Sequence, residues 1–315
     1  MTKIYYNKKA FRGHKGGMTE TVFCMPFEDA SNWPQEPIHN NRFANLIQNG
    51  VGDVEYSSLD ECDYVVLPYK YEDTPETAAL IKEANDAGKK IIVIYNDDDE
   101  GPVNVSPEQG YVFRTSFNTR ERKENEFAFP AFTGDFYDQS KTITDEKEQL
   151  TVGFCGQAFI PIRRKAIQKL RKQDILETNF ILRKGFWAPE LPKAQARREF
   201  LDNLKDNLFI LCVRGAGNFS YRLYETMMMG RVPIIIDSDQ IFPFEDKINY
   251  DECAIVIPED EVSNIAGHID EWLGRNRMAL TELQGYNRQL WEKYLAPSGW
   301  LSNFVIELEY QTMDL

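Results

Sequence analysis

Basic charge is what this sequence lacks most: 36 Lys and Arg stand against 50 Asp and Glu, for a formal net charge of -14. Nucleic-acid affinity comes mainly from clustered cations that neutralise phosphates, so the charge argues against a sequence-independent grip on a polyanion and no nucleic-acid partner is expected. Histidine is equally scarce, with three in 315 residues. The five cysteines, Cys24, Cys62, Cys155, Cys212 and Cys253, are widely spaced, and no CxxC or Cys/His pair has zinc-site spacing. They read as buried, reduced thiols, and no metal or other cofactor is expected. No apolar run approaches the ~20 residues that span a bilayer, and the opening MTKIYYNKKAF has no apolar leader core. A cytoplasmic location without an integral membrane segment is the expectation, with peripheral membrane association left open.

What is present is an ordinary globular composition, 42% hydrophobic and 27% charged, over a length that suits two domains of about 150 residues each. The first half alternates short apolar runs (KIYY, TVFCMPF, VEYSS, YVVLPY, KIIVIY) with polar, helix-like stretches, the rhythm of βαβ units and a mainly parallel sheet. Residues 135–149 are polar and without apolar periodicity, which places an inter-domain linker there. The pattern then restarts with TVGFCG, TNFILRKG, NLFILCVRG, VPIIID and AIVIP, separated by helical segments. Beyond Asp260 the chain reads as helix, with Trp272, Leu283, Trp291, Tyr294 and Trp300 as packing residues. The fold class expected is α/β, two Rossmann-like doubly wound domains over 1–145 and 146–315, with a C-terminal helical tail that crosses back to the first.

One segment is dense with chemistry: RGAGNFSYRLYETMMMGR, between the strands FILCV and VPIII. Gly215 and Gly217 permit a tight turn that leaves amide N–H groups facing an anion at the start of the next helix. Asn218 or Ser220 suits the cap of that helix, and Arg214 and Arg222 offer guanidinium groups to a diphosphate. Arg222, Glu225 and Met229 share a helical stripe, so the Glu225 carboxylate lies farther along the same face, where it suits ribose hydroxyls. A bland alternative stands beside this one, in which Arg222 and Glu225 form a surface pair and the glycines close a turn. GAGNFS also approximates a dinucleotide-binding GxGxxG, with Asp237 ending the next strand. A third option is a metal-dependent transferase of the GT-A type, with an Asp-x-Asp at Asp237-Ser238-Asp239 or within Asp97-Asp98-Asp99, although such acidic turns commonly serve as solvated loops.

From Val152 onward the chain resembles the exostosin-type glycosyltransferases. The likeness is densest over VRGAGNFSYRLYETMMMGRVPIIIDSDQIFPFEDKINYDECAIVIPEDEV, in the order Arg-Gly, Ser-x-Arg-x-x-Glu, Gly-x-Val-Pro, an aspartate, Pro-Phe. The resemblance implies a GT-B fold, inversion at the anomeric carbon, and a sugar-nucleotide donor, commonly a UDP-sugar, bound by the C-terminal domain with no essential metal. On matching positions it implies that Arg214, Ser220 and Arg222 hold phosphates, Glu225 engages the ribose, and Asp237 lies near the donor sugar. The acceptor would be a glycan or lipid-linked carbohydrate, as in polysaccharide biosynthesis, and the chain a soluble microbial or viral-like member. A base for the acceptor hydroxyl is expected from loops of the first domain, where Asp97, Asp98, Glu100 and Asp135 are the candidates and His14 a further one. The RGHKGG loop around His14 could instead approach the donor phosphates. Trp33, Phe186 and Trp187 suit stacking on sugar rings or packing. A non-catalytic sugar-nucleotide or glycan-binding protein is the rival in another class.

Overall fold

The apolar runs of the first half become six parallel strands in the computed structural model, which describes residues 1–11, 22–28, 42–43, 46, 49–50, 52, 54–138, 141–145, 148–185 and 188–313. These are β1 (Thr2–Tyr5), β2 (Val54–Tyr56), β3 (Tyr64–Val66), β4 (Lys90–Tyr95), β5 (Gly110–Arg114) and β6 (Glu126–Ala128), in the order β2-β1-β3-β4-β5-β6. A second parallel sheet holds β7 (Thr151–Gln157), β8 (Glu177–Arg183), β9 (Phe209–Val213), β10 (Val232–Asp237) and β11 (Ile255–Pro258), in the order β11-β10-β9-β7-β8. In each sheet the strand order reverses beside the first strand, between β1 and β3 and between β7 and β9. The expected pair of Rossmann-like doubly wound sheets, the GT-B arrangement, is present. His14, Trp33, Phe186 and Trp187 lie outside the described residues.

Parallel strands covered on both faces must be apolar on both, and β9 is buried at all five positions. Alternation then sorts side chains by face. Ile91 and Val93 of β4 pack with Ile81 and Ala84 of α1 (Pro75–Asp86), whereas Ile92 and Ile94 enter a core shared by both sheets. Thr74 caps α1 by accepting from the Thr77 N–H at 3.2 Å, with Pro75 in the first turn where a missing N–H costs nothing.

The second sheet is flanked by α2 (Pro161–Leu170), α3 (Lys193–Lys205), α4 (Tyr221–Met228) and α5 (Tyr250–Cys253). The helical tail follows as α6 (Ile265–Arg275), α7 (Leu280–Leu290), a π-helical turn at Trp291–Leu295 and α8 (Pro297–Met313). Trp272, Leu283, Trp291, Tyr294 and Trp300 are all buried. The α8 helix lies against the first sheet: the Trp300 ring meets Phe23 at 5.2 Å, Phe113 at 5.2 Å and Phe129 at 4.8 Å in edge-on contacts. Residues of both sheets, α4 and α8 therefore share one apolar core. Residues before β7 are tied to the second sheet's helices, since Ile143 exchanges hydrogen bonds with Gln284 and Lys141 accepts from the buried Arg231.

Candidate functional site

In an open parallel sheet the crevice for a ligand forms where the strand order reverses, beyond the carboxyl ends of the strands. In the second sheet that point is flanked by Gln157 at the end of β7 and Val213 at the end of β9. Two arginines cross it. Arg222, in the first turn of α4, donates from Nη2 to the Cys155 carbonyl at 2.8 Å. Arg163, in the first turn of α2, donates from Nη1 to Gln157 O at 3.1 Å and from Nη2 to Val213 O at 3.0 Å and Arg214 O at 2.9 Å. Both guanidinium groups lie over the Phe154 ring, at 4.5 Å for Arg222 and 6.0 Å for Arg163. Gly156 is a condition of this seat, because a β-carbon there would stand 2.9 Å from Arg222 Nη2.

The Nε atoms of Arg163, Arg214 and Arg222 are all buried without a hydrogen-bond partner among the described residues. Burial, reinforced by the neighbouring Arg222 charge, pushes Arg163 down to about 10. Arg214 has a carboxylate nearby, Glu259 at 3.6 Å from its Nε. Glu225 faces Arg197 at 3.9 Å with a side chain 16% exposed. Burial raises its carboxyl, opposed by Arg197, Arg222 and Arg42. Glu225 is thus a mostly buried carboxylate whose ion-pair partner among the described residues is Arg197.

The opposite wall comes from the first sheet, whose β4 and β5 ends face the loop at 214–220. Asn218 accepts no helix-capping role: its N–H donates to Ser116 Oγ at 2.7 Å, and its Nδ2 donates to Phe117 O and Ser238 O, both at 3.1 Å. Tyr221 OH meets Asn96 at 3.3 Å, and Asn118 forms an antiparallel bridge with Gln240. The buried Arg114–Glu126 pair, at 3.1 Å, sets this wall, since Arg114 also donates to Asp99 O, Gly101 O and Ser116 O.

Several sequence expectations need correction. The Gly215 N–H is not left for an anion, because it donates to Phe219 O at 3.2 Å. Gly217 is small for another reason: a β-carbon there would sit 2.7 Å from Asp98 Cα and 2.7 Å from Ser116 Oγ, so it marks contact between the two sheets' loops. Ser220 occupies the N-cap position of α4 without a side-chain capping bond. Asp135 is removed from the crevice; its carboxylate makes a two-bond fork with Arg288 at 2.8 and 2.7 Å, beside Met228 at the far end of α4. Asp237 accepts from the Gln240 N–H at 3.1 Å, and its carboxyl is raised by burial. Asp239 turns away to Arg120 at 2.9 Å, so Asp237 and Asp239 do not converge.

The acidic turn after β4 divides its roles. Burial works to raise Asp97, but the Lys70 ammonium and the Asp99 and Asp98 N–H groups outweigh it and hold the carboxyl below the usual range. Asp99 accepts from Gly101 N and Tyr95 OH, and Glu100 from Asn118 at 3.5 Å. Asp98 is exposed, with its backbone packed on Gly217. Arg163 was not among the sequence candidates; its signal was only a basic helix after TVGFCG, and nothing local tells which of Arg163, Arg164 and Arg171 turns inward.

Residues 111–271, just over half of the chain, match the family model described as the Exostosin GT47 domain. An "Exostosin-1 homolog" of Caenorhabditis elegans is 28% identical over 118 residues, which is 38% of this chain and 30% of that protein. A "Probable glucuronosyltransferase" of Oryza sativa subsp. japonica is 33% identical over 66 residues, 21% of this chain and 16% of that protein. The chain thus matches less than a third of the length of these curated relatives. A solved structure of the lipopolysaccharide outer core galactosyltransferase WaaB aligns over 98% of this chain and 100% of that one, at 12% identity and a TM-score of 0.48.

Proposed function

This chain belongs to the exostosin GT47 family of glycosyltransferases, and from that premise we propose that it moves a sugar from a nucleoside diphosphate donor, a UDP-sugar, to a glycan or lipid-linked carbohydrate with inversion. The observation that carries the reading is the pair of guanidinium groups at the β7/β9 crevice, Arg222 and Arg163, each held by backbone carbonyls and with an Nε that has no hydrogen-bond partner among the described residues, where a diphosphate supplies acceptors and negative charge. The relatives named as glucuronosyltransferases support a sugar-nucleotide donor.

In such a transfer the acceptor oxygen bonds to the anomeric carbon while the bond from that carbon to the β-phosphate oxygen breaks, and the diphosphate leaves with the electron pair. Arg222 and Arg214 stabilise the charge that develops on it, the kind of preorganised electrostatic term that usually contributes most. Guanidinium groups fill the place of a divalent cation in this reading. Glu225 accepts from the ribose hydroxyls, and Asp237 lies beside the transferred sugar. Asp98 takes the acceptor proton: it is exposed, it packs on the donor loop, and it lacks the Lys70 contact that makes Asp97 a poorer base.

The experiment is titration calorimetry with UDP in EDTA, followed by donor turnover, on the wild type, Arg222→Ala and Asp98→Asn. The expected result is UDP binding with a Kd on the order of micromolar that Arg222→Ala abolishes. Asp98→Asn should retain UDP affinity and lose about a hundredfold or more in kcat. Absence of binding by any nucleoside diphosphate would sink the donor site, and full turnover in Asp98→Asn would sink the base. Tight UDP binding without turnover across acceptors and water would favour a binding protein.

A further inference from the structure

We propose that the outward face of α2, together with Phe159 and Leu182 beside its first turn, docks on an anionic lipid membrane. The docking stands on its own observations; its consequence, that the acceptor is lipid-linked, rests on the donor-site reading above.

Residues 161–172 hold Arg163, Arg164, Lys165, Lys169, Arg171 and Lys172 and no Asp or Glu, in a sequence of net charge -14. Ile162, Ala166, Ile167 and Leu170 are the buried stripe of α2, which turns that side of the helix to the sheet. Arg163 points to the crevice carbonyls. The other five cations lie over the rest of the surface, with Arg164, Arg171 and Lys172 exposed and Lys165 and Lys169 half-buried. Among the described residues none of these five pairs with a carboxylate, whereas exposed cations elsewhere do, as Lys82 with Asp86 and Arg120 with Asp239. The acidic turn packed on α2, Glu259–Asn264, directs Glu259 to Arg214 and Glu261 to His268. The helix thus presents a face of positive potential on an acidic protein, and an anionic surface complements it.

Charge alone would suit any polyanion, and the apolar neighbours select lipid. Phe159 is 55% exposed and Leu182 44% exposed, a cost in water that a bilayer removes. Leu182 pairs in register with Gly156 of β7, and Phe159 follows three residues later, so both stand at the carboxyl end of these strands. Alternation places Leu182 on the same face of β8 as Phe180, whose ring meets Phe154 at 6.4 Å and the Arg171 guanidinium at 5.8 Å; that is the face α2 covers. Arg164 donates to Phe159 O, which ties the first cation to the first apolar residue. Cations that meet headgroups beside side chains that enter the acyl boundary are the two contacts a peripheral protein makes with a bilayer. An acidic polysaccharide would engage the cations and leave Phe159 and Leu182 in water. Arg163 and Arg164 are neighbours in one turn, the first facing the crevice and the second facing this surface. Docking therefore brings the crevice beside the bilayer, within reach of a carbohydrate carried on a lipid.

Sedimentation of the full chain with vesicles of phosphatidylcholine alone, or with about a third phosphatidylglycerol, tests this. The wild type should pellet with the anionic vesicles, stay in solution with the neutral ones and be released by raised salt. Lys165→Glu combined with Lys172→Glu, two positions on one stripe of α2, should weaken vesicle binding about tenfold or more. Phe159→Ser combined with Leu182→Ser should also weaken it, without changing retention on heparin, a polyanion that offers no acyl layer. No binding to anionic vesicles, equal binding to both kinds, or full affinity in either double variant overturns the proposal. Tight heparin binding with no vesicle binding assigns the face to an acidic polysaccharide and overturns it as well. UDP titration without vesicles reports separately on the donor site: both double variants should match the wild type, and a wild type that docks but binds no nucleoside diphosphate sinks the donor reading alone.

Discussion

Replacing Glu307 with Gln should stabilise this protein at alkaline pH and leave it unchanged in mild acid. Glu307 lies on α8, 7% exposed, and accepts the N–H of Phe244, a buried residue held at φ 55° in the loop after β10. Burial pushes its carboxyl up to about 7 from an ordinary 4.5, with Asp246 and Glu245 adding to the rise and the Phe244 N–H and Arg122 opposing it. The sign follows from linkage. Below pH 4.5 the group is protonated in both the folded and unfolded chain and costs nothing. Between 4.5 and 7 the unfolded chain releases the proton and the fold retains it, so stability falls as pH rises; above 7 the full penalty persists. That displacement corresponds to about 3 kcal/mol. Gln is neutral throughout, and its amide oxygen still accepts from Phe244. Urea unfolding of both proteins from pH 4.5 to 8.5 should show curves that coincide at the acid end and diverge to about 3 kcal/mol in favour of Glu307→Gln. A difference constant across that range would refute the reasoning, because it would place the effect in packing and not in ionisation.

Other perturbations address the crevice and its walls. Gly156→Ala places a β-carbon 2.9 Å from Arg222 Nη2, so UDP affinity should fall about tenfold with little change in the urea midpoint; calorimetry and unfolding on one preparation check both. Gly217→Val should wedge the acidic turn from the donor loop, because Asp98 Cα and Ser116 Oγ already stand 2.7 Å from a single added carbon. The expected readout is a larger radius of gyration by X-ray scattering and a loss in kcat. Asp135→Asn should cost about 2 kcal/mol or more in unfolding by weakening the fork to Arg288, yet leave kcat/KM near the wild-type value if sample is assayed below its transition.

The alternation of apolar strands and helical segments, the dense RGAGNFSYRLYE loop and the rarity of His and Cys were legible because each is a local property of the chain. Period-2 and period-3.6 patterns state which face of an element is buried without reference to its neighbour. The family resemblance reached the proposed donor loop for a similar reason, as it lies in one continuous stretch. Asp135 misled for the opposite reason: a carboxylate in a polar run looks available until Arg288, 153 positions away, is folded against it. Gly217 looked like a phosphate turn and is a contact between loops, because the need for a missing β-carbon is set by whatever approaches from elsewhere.

What the sequence by itself determined is therefore the α/β class, the two parallel sheets and the segment proposed to hold a donor. The tertiary structure alone decided which guanidinium Nε atoms are left without a hydrogen-bond partner among the described residues. Arg163 becomes a candidate site residue only when the ends of β7 and β9 meet beneath it, and Asp98 only when Gly217 packs on its backbone. Side-chain periodicity is a short-range property of the backbone, whereas charge compensation depends on distances that exist only after the chain has closed on itself.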